Sequence, residues 1–239
     1  QSHNKQGICL LLGAGADISS GGILFRELKI QFMKENGYEI TQDIAANKLD
    51  REFEKIVNSL SQNGRCETLD NIMRKKSMPS EGYELLVMLA EMGYIDAVIT
   101  TNFDYLLEET QNLLNIKPFT IFTPGKSIPQ EYYLRNSKIS PIYLKMHGDL
   151  SDRLVTHLTS EELESKNYSA EFINLFKYII KKNSVLIIGY GGYDSLITDL
   201  FKQEMGELSD VYWCNISEPD EKSDLVSALK ASNKLKYVN

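Results

Sequence analysis

The stretch Gly13-Ala14-Gly15-Ala16-Asp17 follows the continuously apolar run Ile8-Cys9-Leu10-Leu11-Leu12. An apolar run of this kind predicts a strand that is buried on both faces of a parallel sheet. A Gly-x-Gly turn after such a strand lets the chain turn sharply and lets a phosphate approach the backbone amides. The alternative is that the glycines serve packing alone, as they do after the first strand of many α/β proteins.

Apolar runs alternate with helical patterns along the rest of the chain. Strands are predicted at 8–12, 97–100, 119–122, 142–145, 184–188, 211–216 and 234–238, with a short edge strand at 154–158. Helices are predicted at 24–37, 49–60, 69–77, 81–92, 105–114, 172–179, 195–205 and 225–229. We therefore expect an α/β fold with a Rossmann-like, mostly parallel sheet, helices on both faces and a helical insertion at about 38–92.

Two local signals refine the predicted helix ends. Asn63-Gly64 is expected to end the helix whose apolar face contains Leu49, Phe53 and Leu60. The pattern Thr159-x-x-Glu162 is a capping box and predicts the start of a further helix.

Composition limits the function classes. The 239 residues carry a formal net charge of −7, which argues against a dedicated nucleic-acid surface. The sequence contains neither a signal peptide nor an apolar stretch long enough to span a bilayer, so we expect a cytoplasmic protein without a membrane partner. The three cysteines, Cys9, Cys66 and Cys214, contain no Cys-x-x-Cys pair, which excludes a four-cysteine zinc site within the chain.

Polar and glycine-rich stretches follow three later predicted strands. They are Thr100–Asp104, Lys145–Asp149 and Ile188–Asp194. In parallel sheets ligands bind beyond the carboxyl ends of the strands. The shared placement predicts that these stretches and the loop at Gly13–Asp17 form one composite site.

His147 and Asn102 are the strongest candidates for chemistry. An imidazole can take a proton from water or a hydroxyl, although a histidine at a strand end can also serve only to bond a neighbouring loop. His157 is interpreted as structural. The amide of Asn102 can hold ribose hydroxyls or orient a water, or it can bond its own backbone in a turn.

Other residues of these stretches also have two interpretations. Asp104 could bind a ligand amide or cap the following helix. Asp17 could face a ribose or bond loop amides, and Arg26 could offset ligand charge or be a solvated helix residue. The glycines at 189–192 permit close approach of a ligand, and they also suit a tight turn with Asp194 as helix N-cap.

The ordered set of motifs resembles the sirtuins. Gly13–Asp17 with Phe25-Arg26 resembles the sirtuin Gly-Ala-Gly-x-Ser loop that leads to Asp-Phe-Arg. Thr100–Asp104 resembles the Thr-Gln-Asn-x-Asp motif, and Lys145–Gly148 resembles the His-Gly of the catalytic histidine. The motifs occur in the same order and cover almost the whole chain.

The departures from the sirtuin pattern are specific. Asp17 stands at the serine position, Ile23-Leu24 replaces Pro-Asp, and Gly189-Tyr190-Gly191 replaces the Gly-Thr-Ser motif. The four zinc cysteines of the protein-deacylating members are absent. This pattern resembles the bacterial sirtuin-like domains of antiphage defence proteins, which hydrolyse NAD.

The resemblance implies an NAD glycohydrolase that uses NAD as substrate and needs no metal. It implies that Asn102 holds the ribose and water and that His147 is the base. It further implies a cofactor-binding set, in which the first loop binds diphosphate and Phe103 and Asp104 line the nicotinamide pocket. That set is Gly13, Ala14, Gly15, Ala16, Asp17, Arg26, Thr101, Phe103, Asp104, Gly189, Tyr190 and Asp194.

The resemblance also carries expectations about organisation. We expect residues 1–239 to form a single domain of a longer protein, working as a homo-oligomer or in a defence complex with a sensor or partner protein. The alternative functions are an NAD-dependent protein deacylase and a non-catalytic module that binds NAD or ADP-ribose.

Overall fold

The computed structural model describes residues 7–74, 78–134, 140–150, 156–214 and 220–238. Within these ranges the strands are β1 (Gly7–Leu12), β2 (Ala97–Thr100), β3 (Thr120–Phe122), β4 (Ile142–Lys145), β5 (Asn183–Ile188), β6 (Val211–Cys214) and β7 (Leu235–Val238). They form one sheet in the order β3-β4-β2-β1-β5-β6-β7, and each neighbouring pair is parallel. The predicted fold class is confirmed.

Helices connect the strands and cover the sheet. They are α1 (Phe25–Glu35), α2 (Ala46–Ser59), α3 (Gln62–Arg74), α4 (Glu81–Glu91), α5 (Leu106–Leu114), α6 (Glu131–Leu134), α7 (Ala170–Lys182), α8 (Ser195–Glu204) and α9 (Asp224–Ala231). Two 3₁₀ helices span Ala14–Ser20 and Ser165–Asn167.

The first strand is apolar throughout because both of its faces are buried. Cys9 and Leu11 belong to the core that the sheet forms with α7, α8 and α9. Leu10 and Leu12 belong to the core on the opposite face, which contains side chains of α4 and α5. Side chains alternate between the faces of a strand, so both faces of β1 require apolar residues.

The helices between β1 and β2 pack in two different layers of the molecule. Helices α1, α2 and α3 form a third core away from the sheet, in which the rings of Phe32 and Phe53 are 5.4 Å apart. Phe103, Leu150 and Leu158 join this core from the loops beyond the sheet. Helix α4 lies within the predicted insertion but packs on the sheet, so the part that stands apart from the sheet is α1–α3.

The predicted helix end at Asn63-Gly64 is wrong. The break comes at Leu60, whose backbone is extended, and Ser61 Oγ accepts from the Gly64 N–H at 3.2 Å. Ser61 thus supplies an N-terminal cap, and Asn63-Gly64 lies in the first turn of α3.

The predicted capping box forms, but it closes only one turn. The Glu162 N–H donates to Thr159 Oγ1 at 3.3 Å, and Glu162 Oε2 accepts from the Thr159 N–H at 3.1 Å. The next α-helix is α7, which begins after Ser169 because the Ser169 hydroxyl accepts from the Phe172 N–H.

Some residues of the predicted elements lie outside the described ranges. These are 75–77 of the helix expected at 69–77, 135–139 of the loop before β4, 154–155 of the expected edge strand and 215–216 after β6. Within the described part of the edge strand, Thr156 forms an isolated antiparallel bridge with Gly148.

The order of the strands creates a switch point between β1 and β5. The chain leaves β1 toward β2 on one side and leaves β5 toward β6 on the other. The loops that follow β1 and β5 therefore diverge and leave a crevice at the carboxyl edge of the sheet, where doubly wound folds bind ligands.

Gly189 is required where these two loops meet. Its φ is +62°, and a Cβ there would lie 2.0 Å from the Ala16 nitrogen. We predict that Gly189→Ala lowers the free energy of unfolding by at least about 2 kcal/mol, from left-handed strain and overpacking.

Denaturant unfolding measures the effect of that substitution. Gly206→Ala is the matched control because a Cβ at Gly206 meets nothing within 4 Å, and it should change stability by less than about 0.5 kcal/mol. Equal effects at the two positions would contradict the prediction.

Candidate functional site

The loops after β1, β2, β4 and β5 line one cavity of about 640 Å³. This volume lies within the range of small-molecule and cofactor sites. The structure brings most of the predicted residues to this cavity. They are Ala14, Gly15, Asp17, Thr101, Asn102, Phe103, Asp104, His147, Gly189, Tyr190 and Asp194.

Three predicted residues lie outside this lining. Gly13 and Ala16 sit behind it, in the contact between the loops after β1 and β5. Arg26 is exposed, and its Nη2 donates to the carbonyl oxygens of Gln42 at 3.0 Å and Ile44 at 2.6 Å. The arginine therefore holds the segment before α2 and is not directed at the cavity.

The backbone amides of the first loop are mostly engaged. The Gly13 N–H donates to the Ile188 carbonyl at 3.1 Å, and the Gly15 N–H donates to the Gly189 carbonyl at 2.8 Å. The Ala16 N–H donates to the Gly13 carbonyl at 2.9 Å. The packing interpretation of these glycines thus accounts for their close contacts.

The loop after β5 offers more amides to a ligand. Within the part of the chain that the structure describes, no backbone N–H of 190–193 donates to another residue, and the same is true of Ala14. Gly192 adopts φ +76°, so the run contains a left-handed residue of the kind that turns successive amides into an anion-binding concavity. All of these residues line the cavity.

His147 is paired with a buried carboxylate. Its Nε2 lies 2.6 Å from Asp194 Oδ2, and the two side chains are only 11% and 7% exposed. Asp194 Oδ1 accepts from the Ile197 N–H at 3.1 Å, which confirms the expected N-cap of α8. One aspartate thus begins a helix and fixes the histidine ring.

Burial by itself would raise the pKa of Asp194. The hydrogen bond and charge of His147, together with the N–H groups of Ile197 and Leu196, outweigh burial and lower that pKa below its ordinary value. Because ionised Asp194 only accepts, Nε2 of His147 is the donor of this bond, and Nδ1 is the ring nitrogen that the bond leaves free.

Asn102 is fixed on both its backbone and its side chain. Its N–H donates to Thr100 Oγ1 at 3.0 Å, and Thr100 Oγ1 donates to the Leu12 carbonyl at 3.3 Å. Its Nδ2 donates to Asp17 Oδ2 at 2.7 Å. Asp17 therefore contacts Asn102 directly, a pairing that sequence reasoning did not predict.

Asp104 caps a helix and also lines the cavity. Its Oδ1 accepts from the Leu106 N–H at 2.8 Å at the start of α5. Both sequence interpretations of Asp104 are therefore compatible with its position.

Two buried residues behind the cavity were missed. The Tyr83 hydroxyl on α4 donates to Asp17 Oδ1, a contact between residues that are distant in sequence and carry no shared motif. Lys145 is fully buried, and its Nζ donates to Glu108 Oε1 at 2.8 Å. Lys145 is the first residue of the Lys145–Asp149 stretch, and a lysine at the end of a buried strand was the one available signal for this cluster.

His157 is held by its neighbours, as its structural interpretation predicts, and it also lines the cavity. Its Nδ1 is 2.7 Å from the Glu162 carbonyl oxygen, and its ring stacks on Tyr168 with centroids 4.7 Å apart. It also lines the cavity, as do apolar side chains of α1, α2 and the 156–163 segment. These are Leu28, Phe25, Phe53, Leu158 and Leu163.

A metal-binding cluster and a membrane-spanning helix are both absent from the described ranges. No cluster of three or more His, Cys, Asp or Glu side chains there could hold a metal ion. No helix among these residues is long and apolar enough to cross a membrane.

The fold and site define a doubly wound α/β protein with a ligand cavity at its topological switch point. The family model described as SIR2-like domain matches residues 96–237. This match spans more than half of the chain, and the chain belongs to the SIR2-like domain family. No curated protein matches the chain.

Solved structures of sirtuins share the fold. Sir2Tm bound to a propionylated peptide is 14% identical with a TM-score of 0.51, and the alignment covers 95% of this chain and 92% of that chain. Sir2 with an inhibitor, 2′-O-acetyl-ADP-ribose and a deacetylated peptide is 15% identical with a TM-score of 0.48, covering 95% and 93%. Sir2 bound to acetylated peptide is 14% identical with a TM-score of 0.49, covering 95% and 92%.

The His147–Asp194 pair generates a prediction. In His147→Gln the burial of Asp194 remains but the charge of the histidine is lost, so the pKa of Asp194 should rise. Titration of the Asp194 carboxyl carbon by NMR measures this. His157→Gln is the control and should leave the Asp194 pKa unchanged, because His157 does not contact Asp194.

The same pair affects acid stability. A lowered pKa in the folded state means that the unfolded chain binds more protons between that pKa and about 3.9, so stability falls as the pH falls through this window. The share of this acid-induced loss of stability that is due to Asp194 should be smaller in His147→Gln. An unchanged pH dependence would contradict the pairing.

Proposed function

We propose that the chain is an NAD glycohydrolase that converts NAD and water to nicotinamide, ADP-ribose and a proton. The observation that carries the proposal is that Asn102 and the Asp194-oriented His147 line one cavity with two glycine-containing loops. The sirtuin fold of the family supports NAD as the ligand.

The backbone N–H groups in the cavity lining that have no acceptor among the described residues support the fit of NAD. The N–H groups of Ala14 and 190–193 would donate to the diphosphate, since amides can approach phosphate without a side-chain cation. Lys29 is the lysine of the described lining, and it is bonded to Asp50 at 2.6 Å. Asp104 would face the cationic nicotinamide ring.

The chemistry follows from the leaving group. The electrons of the bond between nicotinamide and ribose go to nicotinamide, which leaves neutral and leaves an oxocarbenium-like ribose. The Oδ1 of Asn102 would hold a ribose hydroxyl or the attacking water. Nδ1 of His147 would take the proton, directly or through a ribose hydroxyl, while Asp194 holds the ring and stabilises its positive charge.

A protein deacylase is the second candidate. The apolar side of the cavity, between α1, α2 and the 156–163 segment, would have space for an acyl group. Incubation with NAD and an acetylated peptide separates the candidates. Nicotinamide release without peptide supports hydrolysis, release only with peptide supports deacylation, and tight binding without turnover supports a binding module.

We also propose that the chain acts in antiphage defence, within a longer protein and as a homo-oligomer or with a sensor partner. The support for a homo-oligomer is an exposed apolar stripe at helical spacing, formed by Leu85, Met88 and Leu89 of α4 and by Met92 at its C-terminal end. Leu89→Lys should lower the mass in sedimentation if copies associate here. NAD consumption by the complete protein with and without phage tests the defence role.

For Asn102→Ala we predict almost complete loss of nicotinamide release with much less change in NAD affinity, because the substitution removes positioning at the reacting carbon. Calorimetric NAD binding and product release are measured on the same folded variant. Asn112→Ala, an exposed asparagine on α5, is the matched control and should retain full activity.

For His147→Ala we predict a loss of about 10²–10⁴-fold in turnover, the usual effect of removing a general base. The residue sits after β4 and outside the apolar cores, so folding should be preserved. A small loss of turnover accompanied by a lower melting temperature would instead indicate a structural histidine.

A further inference from the structure

His157 has a ring nitrogen that the protein leaves unused. Its Nδ1 lies 2.7 Å from the Glu162 carbonyl oxygen, and because a carbonyl only accepts, Nδ1 carries the proton of that bond. Its Nε2 is buried and has no hydrogen-bond partner among the residues that the structure describes. The residue is 6% exposed and lines the cavity. A buried acceptor without a donor costs free energy, so this nitrogen favours an O–H or N–H group in the cavity.

The surroundings of the ring keep Nε2 an acceptor. Burial, together with the charge of His147, lowers the pKa of His157 below its ordinary value and outweighs the opposing effect of Glu162. The ring is therefore neutral at pH 7, with its lone pair on Nε2. It stacks on Tyr168 with centroids 4.7 Å apart, and the Tyr168 hydroxyl donates to the Met146 carbonyl at 3.1 Å.

One glutamate anchors the segment that carries His157. Glu162 Oε2 accepts from the N–H groups of Leu158 at 2.8 Å and Thr159 at 3.1 Å. Glu162 Oε1 accepts from Arg65 Nη1 on α3. The same residue supplies the carbonyl oxygen that holds the His157 ring. The ring position is thus fixed by contacts within the protein.

His157 lies opposite His147. An isolated antiparallel bridge joins Gly148 to Thr156, and the adjacent pair is His147 with His157, whose N–H donates to the His147 carbonyl at 2.9 Å. Directly opposite residues of an antiparallel pair place their side chains on the same face, with Cβ atoms about 5 Å apart. Both residues line the cavity. His157 Nε2 and the Nδ1 that the Asp194 bond leaves on His147 therefore belong to one part of the lining.

A water that attacks a carbon directs a lone pair at it and has two O–H groups left to donate. In the proposed hydrolysis one of these donates to His147 Nδ1, which takes the proton. We propose that the second O–H of the attacking water donates to His157 Nε2, so that the two histidines hold the nucleophile between them. Asn102 Oδ1 is then left for a ribose hydroxyl. This inference rests on the proposed NAD hydrolysis and specifies where its nucleophile binds.

The atoms and electrons of the step balance around these two nitrogens. The bond from the water oxygen to the ribose carbon forms while the bond from that carbon to nicotinamide breaks, and nicotinamide leaves with the electron pair. One water proton moves to His147 Nδ1. The other stays on the new hydroxyl of ADP-ribose, from which His157 accepts. His157 therefore contacts the nucleophile without acting as a second base.

Methanol is a nucleophile with one O–H instead of two, and it provides the test. Its O–H donates to His147, so in the wild type attack by methanol leaves His157 Nε2 unpaired. Loss of Nε2 should therefore slow attack by water more than attack by methanol. The measured quantity is the ratio of methyl ADP-ribose to ADP-ribose when NAD is cleaved in a fixed, low fraction of methanol. This ratio does not depend on how much of the enzyme is folded.

Two substitutions separate the acceptor from the bond to Glu162. His157→Asn keeps an N–H for the Glu162 carbonyl but has no acceptor at the Nε2 position, so the ratio should rise about tenfold, the scale of one lost hydrogen bond. His157→Gln gives up the Glu162 bond and places an amide oxygen near the Nε2 position. Its ratio should stay within about threefold of the wild-type value, because the acceptor is retained.

Ser160→Ala is the matched control. Ser160 lines the cavity on the same segment, and its Oγ donates to Glu54 Oε1 at 2.8 Å, so its loss should leave the ratio at the wild-type value. An unchanged ratio in His157→Asn, or an equal rise in His157→Asn and His157→Gln, overturns the inference. A merely structural His157 would lower stability and total turnover without separating the two product ratios.

A measurement on the free protein tests the tautomer that the inference requires. Nitrogen-15 NMR distinguishes a protonated ring nitrogen from one with a lone pair. For His157 at pH 7 we expect a proton on Nδ1 and none on Nε2, and the opposite tautomer overturns the inference whatever the activity is. If the wild type releases no nicotinamide, the proposed function fails and the assignment of the nucleophile fails with it. An active enzyme with an unmoved product ratio contradicts the assignment alone.

Discussion

The close backbone contact between the loops after β1 and β5 determines the rest of the site. The Gly15 N–H bonds the Gly189 carbonyl at 2.8 Å, and a Cβ on either residue would overlap the other loop. This contact closes the base of the crevice at the switch point. It also frees the following residues, 190–193, to present amides and places Asp194 opposite His147.

The polar residues behind the cavity face a second constraint, which is charge balance. Burial alone would lower the pKa of Lys145, but Glu108 and Asp149 raise it above its ordinary value, so this lysine stays charged. A buried cation that is fully paired cannot also neutralise Asp17. Asp17 instead accepts hydrogen bonds from the Tyr83 hydroxyl and from Asn102 Nδ2, and the second of these bonds fixes the orientation of the Asn102 amide.

The sequence predicted the sheet well because its signals are local. The predicted strands include each of β1 to β7, and the shared carboxyl-edge placement predicted that Asn102 and His147 would approach one cavity. It could not predict contacts such as Tyr83 with Asp17, which depend on how α4 packs against the sheet. Nor could it predict that Arg26 bonds the carbonyl oxygens of Gln42 and Ile44, because helical spacing does not specify which way an exposed side chain turns.

The part of the chain that carries Asp17 lies outside the family match, which begins at residue 96. The matched part supplies Asn102, His147 and Asp194, whereas the unmatched part supplies the acceptor that orients Asn102. The two parts meet at β1, which pairs with both β2 and β5, and also in the loops, where the Gly15 N–H bonds the Gly189 carbonyl and Asp17 accepts from Asn102. A substitution of Asp17 can therefore alter the site without changing any residue of the later motifs, because Asp17 bonds the Asn102 amide directly.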